Sequence, residues 1–237
     1  MTPNFSKGSP SPKPAKALGE TASKRRTRRF AHNAFKIFLI GHLYVGWRLI
    51  PDLQFSLESA FVAVTFLAIT NILIPYGTMA RRFVDNQETV DHLVWAGGLT
   101  MSWFSSLLVL TILRDVILLI PASESWREDS ALWVILAAST ITVIGLVNAR
   151  MTARVKRVDI PITGLSDALN GFTIVQITDV HVGPTIKSDY VHRIVKRVNN
   201  LAADAVAITG DMVDNTVDIL RDHTAPLGEL RARHGSY

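Results

Sequence analysis

The chain has 237 residues, of which 48% are hydrophobic, with a formal net charge of +5 and no cysteine. The lack of cysteine excludes disulfides, thiolate metal sites and cysteine nucleophiles, so any metal must rest on His, Asp, Glu or Asn. The basic residues gather beside apolar stretches, at Lys24 to Arg29, at Arg81 and Arg82, and from Arg150 to Arg157. That placement suits membrane topology rather than a nucleic-acid groove, which would interleave aromatic residues with the cations, and no nucleic-acid partner is expected.

Residues 1–33 are rich in Pro, Ser, Lys and Gly and lack apolar periodicity, the composition of a disordered basic tail. Thr27 to Phe30 loosely resembles a twin-arginine export signal, but no small-residue cleavage site follows Ile50 and three more apolar stretches do. A bilayer core needs roughly 20 apolar residues per helix, and residues 34–150 offer four candidate transmembrane helices, at 34–50, 57–75, 92–113 and 131–149. The first contains Lys36, His42 and Arg48, with Lys36 and Arg48 near its ends, where long side chains reach the headgroups. In the second, Glu58 lies at the edge, and Asn71 is an interior polar group for a neighbouring helix to satisfy. Arg114 and Asp115 interrupt the third and are expected to form an interfacial ion pair, with Pro121 closing the run. Ala131 to Ala149 carries no charge. Lys and Arg concentrate in alternate loops, so the expectation is a multi-pass protein of the cell membrane with the lipid bilayer as partner and both termini cytoplasmic. Few ionisable groups lie within the spans and no broken half-helices pair up, which favours an anchor over a transporter.

From Val158 the pattern changes to short β-rich runs between polar turns. Val158 to Ile162 and Phe172 to Thr178 read as strands, the second mostly buried by its β-branched content. Ser188 can cap a helix whose Val191, Ile194, Val195, Val198 and Leu201 recur at helical spacing, and Ala205 to Thr209 reads as a further strand. The whole is a β-α-β unit with parallel strands. Asp179 and His181 leave the end of the first strand and Asp211 the end of the next, where open α/β sheets bind ligands. Neighbouring strands lie about 5 Å apart, so the three side chains can face one point as a half-built oxygen and nitrogen metal site. Gly183 and Gly210 permit the sharp turns that this requires.

The runs Ile177-Thr178-Asp179-Val180-His181-Val182-Gly183 and Thr209-Gly210-Asp211-Met212-Val213-Asp214 resemble the early D-x-H and G-D-x-x-D motifs of the calcineurin-like metallophosphoesterases. Gly171 to Gln176 is similar to the lead-in of that family's membrane-anchored bacterial branch. The resemblance covers residues 158–237 and implies the fold class: a multi-span α-helical membrane region followed by a partial α/β metallophosphoesterase domain, its N-terminal half. It further implies a hydrolase of phosphoester or pyrophosphate substrates, lipid-linked ones among the candidates, that uses two divalent metal ions, Mn, Fe or Zn. Asp179 and His181 would hold the first ion, Asp211 would bridge the two, and Asp214 would support the loop behind the ligands. The family's later G-N-H-E/D, lone His and G-H-x-H elements are absent from this sequence. The chain is therefore expected to stop before the site is complete and to be inactive by itself. The competing expectation is a non-catalytic membrane protein or an inactive fragment with a degenerate phosphoesterase module.

Overall fold

The computed structural model describes residues 33, 35–119 and 123–237. The expected tail, apart from Asn33, and the turn at Pro121 lie outside them. Helix α1 covers residues 35–49 and a 3-10 turn, Pro51–Leu53, leads to α2 (Leu57–Met79), α3 (Gln87–Ile117) and α4 (Glu124–Arg150). The segments Leu57–Arg82, Gln87–Ile117 and Glu124–Arg150 are long and apolar enough to cross a membrane. α2 outruns the stretch that hydropathy alone marks at its C-terminal end, and α3 and α4 outrun theirs at both ends. Ser56, Asn86 and Ser123 accept backbone N–H bonds from Ser59, Thr89 and Trp126, and in α3 and α4 the capping residue lies well ahead of the apolar stretch. Pro75 sits inside α2 instead of ending it.

Glycine sets the α2–α3 crossing. A Cβ on Gly77 would meet Gly97 Cα at 2.6 Å and Leu93 O at 2.7 Å, and a Cβ on Gly97 would meet Gly77 Cα at 2.7 Å. Backbones this close exclude any side chain, as in small-residue packing of membrane helices. Gly77→Ala is therefore expected to lose about 1–3 kcal/mol through overpacking. The check is the melting temperature in detergent, and an unchanged value would contradict the crossing. Elsewhere in the bundle, His42 stacks on Phe104 with centroids 3.6 Å apart, its Nδ1 bonding to Phe38 O at 2.7 Å and its Nε2 to Thr70 Oγ1 at 3.1 Å. The expectation for Asn71 is corrected. It is buried, but its Oδ1 has no hydrogen-bond partner among the described residues.

Arg114 and Asp115 also differ from expectation. They do not chiefly pair with each other, their closest approach being 3.9 Å. Asp115 takes a two-pronged bond from Arg48, at 2.7 and 2.8 Å, and the Tyr44 hydroxyl at 2.6 Å. Arg114 instead pairs with Asp52 and donates to Ser130 Oγ and Arg127 O, each at 2.8 Å. Because every charge has a partner from another segment, the helix passes through both residues to Ile117.

The soluble unit holds β1 (Ile174–Thr178), α5 (Ser188–Asn199), β2 (Ala205–Thr209) and α6 (Val217–Thr224). The two strands are parallel, in the register Ile174 to Ala205 through Thr178 to Thr209. Val191, Ile194, Val195 and Val198 turn one face of α5 onto Ile177 and Val206, with Leu220 closing the core from α6. Leu201 lies beyond the end of α5, and Ser188 begins the helix without capping it, since Lys187 holds the cap position with no side-chain bond. Val158 to Ile162 is not a strand: it has no pairing partner among the described residues, and its apolar side chains are exposed. On the free edge of β2, Tyr237 N donates to Val206 O at 2.9 Å and Ile208 N to Tyr237 O at 2.7 Å, so the last residues begin a further parallel pairing.

Candidate metal centre

The parallel pairing does not stop at the strand ends, and this positions the site. Asp179 N donates to Gly210 O at 3.4 Å, His181 N to Asp211 O at 3.1 Å, Val182 N to Met212 O at 2.9 Å, and Asp214 N back to Val182 O at 2.9 Å. The loops after β1 and β2 are thus zipped together through the motif residues, ending in a Val182–Val213 bridge. Alternation does the rest. Val180 and Val182 are buried in the core while Asp179 and His181, before and between them, are exposed.

Backbone conformation at these positions is unusual. Five non-glycine residues among those described have positive φ, and three are Asp179 at 54°, His181 at 51° and Asp211 at 36°. Such conformations cost of order 1–3 kcal/mol each and gather where function over-determines the backbone. Their effect is to bring one ligand atom from each of Asp179, His181 and Asp211 within 4.8 Å of one another. Gly210, at φ 54°, supplies the turn expected of it. Gly183 serves differently, through close approach: a Cβ there would lie 3.2 Å from Asp214 Cβ.

Asp214 stands behind the cluster. Its Oδ1 accepts from His181 Nδ1 at 2.9 Å, which leaves Nε2 as the histidine's free nitrogen. The hydrogen bond to Asp214 and its charge raise the His181 pKa above the ordinary imidazole value, with further contributions from Asp211 and Asp179. A carboxylate behind a ligating histidine is the usual support for a bound metal ion. One imidazole and two carboxylates, open to solvent and without thiolate, fit a hard or borderline divalent cation. Thr178 Oγ1 donates to Asp179 Oδ2 at 2.6 Å, fixing that carboxylate's rotamer.

These features bear on the comparisons with known proteins. A transmembrane protein with metallophosphoesterase domain from Danio rerio is 41% identical over 116 residues, 49% of this chain and 26% of the relative. Its namesake from Bos taurus is 36% identical over 103 residues, 44% of this chain and 23% of the relative. The chain is a relative of the metallophosphoesterases. An uncharacterized metallophosphoesterase of Campylobacter jejuni is 25% identical over 224 residues, 88% of this chain and 56% of the relative, so similarity reaches into the helical half. The chain spans about a quarter of the two vertebrate relatives and just over half of the bacterial one. No protein-family model matches the chain, and no solved structure does either. The metallophosphoesterase family implies divalent-metal use, for which Asp179, His181 and Asp211 offer a group able to hold an ion, and three of the helices are long and apolar enough to cross a membrane. The relatives come from vertebrates, bacteria and a nematode, which singles out no bacterial branch.

A set of polar contacts that sequence patterns do not signal ties the site to the helices. Arg81, just beyond α2, donates to Asp214 O at 3.0 Å, a contact across 133 positions of sequence. Lys187 pairs with Asp91 of α3 at 2.5 Å, and Arg150 at the end of α4 donates to Thr185 O at 3.2 Å. Arg81 and Arg150 read from sequence as topology signals, and nothing in their local pattern indicates the second role.

Proposed function

We propose that this chain is part of a membrane-anchored, metal-dependent phosphoesterase that hydrolyses a phosphoester or pyrophosphate bond. The observation that carries this reading is the convergence of Asp179, His181 and Asp211 at the ends of two parallel strands, each held at positive φ. Asp179, the free nitrogen of His181 and Asp211 would hold the first ion, and Asp211 would be shared with a second, both Mn, Fe or Zn. Asp214 acts through His181, fixing its ring and tautomer. The helices anchor the unit as a multi-pass membrane domain with both termini cytoplasmic, in keeping with Arg81, Arg82 and Arg150 at one set of helix ends.

A bound pair of divalent ions lowers the pKa of water and neutralises charge on the phosphoryl oxygens. In the reaction a water oxygen bonds to phosphorus in line, the bond to the leaving oxygen breaks, and that oxygen departs protonated. Among the described residues one cluster of this kind is present, enough for the first ion and the bridge. Residues 1–237 expressed alone are therefore expected to bind an ion with little or no turnover. The full-length protein should hydrolyse an aryl phosphodiester, lose that activity to a chelator and regain it with added Mn2+. Hydrolysis indifferent to chelation would refute the assignment.

A further inference from the structure

The Asp214 carboxylate and the His181 ring that it bonds are each 47% exposed, so no wall of packed side chains fixes their rotamers. The backbone of Asp214 has to do so instead. Its N donates to Val182 O at 2.9 Å, and Gly183 leaves room for its Cβ, which a Cβ on Gly183 would approach to 3.2 Å. Its carbonyl finds no partner in the soluble unit among the described residues and accepts from Arg81 Nη1 at 3.0 Å. Beyond Asp214 the chain has little to lean on. Asn215 Oδ1 accepts only the neighbouring Thr216 N–H, and α6 then begins without a side-chain cap.

Arg81 is firmly based. It follows α2 shortly after Gly77, whose backbone meets that of Gly97 so closely that neither position admits a side chain, and Ala80 beside it is buried. The backbone crossing, rather than flexible side chains, therefore sets where Arg81 stands. The start of α3 and the end of α4 grip the other ligand loop, Asp91 holding Lys187 and Arg150 holding Thr185, both downstream of His181. Arg197 of α5 adds bonds to Thr152 O at 3.2 Å and Ala153 O at 2.7 Å, just beyond α4. Three helix ends thus clamp the two loops that carry the site.

Charge alone argues against a guanidinium in this place, because it repels the divalent ion that the cluster would hold. What Arg81 supplies is position. Resting on the metal reading above, we propose that Arg81 is a positioning residue for the metal centre. From the end of α2 it fixes the Asp214 carbonyl, the Asp214 carboxylate then aims the His181 ring, and the ring presents its free Nε2 to the ion. The helices are part of the framework of the site and not only its tether.

The test measures the Mn2+ affinity of the full-length protein in phosphatidylcholine nanodiscs, by electron paramagnetic resonance of free Mn2+, with melting temperatures as the check on folding. Arg81 is exposed, so its replacement leaves no hole in the core. Outer-shell partners of metal ligands typically contribute about 10–100-fold, and Arg81 acts one bond further out, so Arg81→Met is expected to weaken binding about three- to tenfold. Arg81→Lys, which keeps a donor, should recover most of that loss. Arg82→Met removes the same charge from a neighbour that makes no bond to the soluble unit among the described residues, and should weaken nothing. In an Asp214→Ala background, Arg81→Met should cost nothing more, since the route to His181 is already cut. The sign separates position from charge, because lost repulsion by itself would tighten binding. Unchanged or tighter binding in Arg81→Met, an equal loss in Arg82→Met, or an undiminished loss in the Asp214→Ala background overturns the inference. The metal centre still stands in each case if Asp211→Asn binds less Mn2+ than wild type. No more bound Mn2+ in wild type than in Asp211→Asn removes the metal centre itself, and this inference with it.

Discussion

Asp211→Asn is expected to abolish metal-dependent hydrolysis by the full-length protein and to weaken Mn2+ binding by more than a hundredfold. The magnitude has a lower bound, because even outer-shell partners of metal ligands typically contribute about 10–100-fold in affinity or activity. Asp211 stands closer than that, as one of the three groups whose ligand atoms converge within 4.8 Å. The amide keeps the size of the side chain and removes its charge, so the cluster loses one of the two carboxylates that could neutralise a cation. Folding should survive, because Asp211 sits at φ 36° and Asn is among the residues that tolerate the left-handed region best. Asp214→Asn is the graded companion. It preserves an acceptor for His181 Nδ1, 2.9 Å away, but removes the charge that draws a cation to the ring, and a loss of about 10–100-fold is expected. Titration with Mn2+ followed by electron paramagnetic resonance, alongside aryl phosphodiester hydrolysis, distinguishes the two. Wild-type affinity in Asp211→Asn would dismiss the centre.

Asp179, His181 and Asp211 are legible in the sequence because of what periodicity encodes. The run from Phe172 to Thr178, the apolar face of α5 and the run from Ala205 to Thr209 dictate two parallel strands with a crossover helix, and polar residues just past parallel strand ends have few structural reasons to be there. The positive φ at Asp179, His181 and Asp211 is not legible, since only Gly210 announces such a turn from composition. Val158 to Ile162 shows the opposite failure, a β-rich run that lacks a neighbour to pair with among the described residues. The helix ends escape for a third reason. Hydropathy marks where apolar residues stop, whereas helices stop where their last backbone groups find partners, as Asn86 and Ser123 provide. Long-range polar pairs such as Arg81 with the Asp214 carbonyl carry no local signature at all.

The same blindness applies to Arg114, and it leads to the largest expected change in stability. At 3% exposure, with Asp52, Ser130 Oγ and Arg127 O as partners, its guanidinium joins α3 to the turn after α1 and to the start of α4. Removing one member of a buried pair typically costs about 3–5 kcal/mol, because the other charge stays behind without compensation. Asp52 is 24% exposed and water can reach it, which places Arg114→Ala near the lower end, about 3 kcal/mol. Arg114→Met tests whether volume or charge is responsible. If charge dominates, the methionine variant should melt as low as the alanine one in detergent, and adding Asp52→Asn should recover part of the loss by removing the stranded carboxylate. If volume dominates, methionine should restore the melting temperature without help. A double-mutant coupling near zero would mean that Arg114 acts through partners other than Asp52, among them Ser130 Oγ and the carbonyls of Arg127 and Arg48. The network lies at the helix ends opposite to those that clamp the site, so Mn2+ affinity should stay unchanged in every one of these variants that folds.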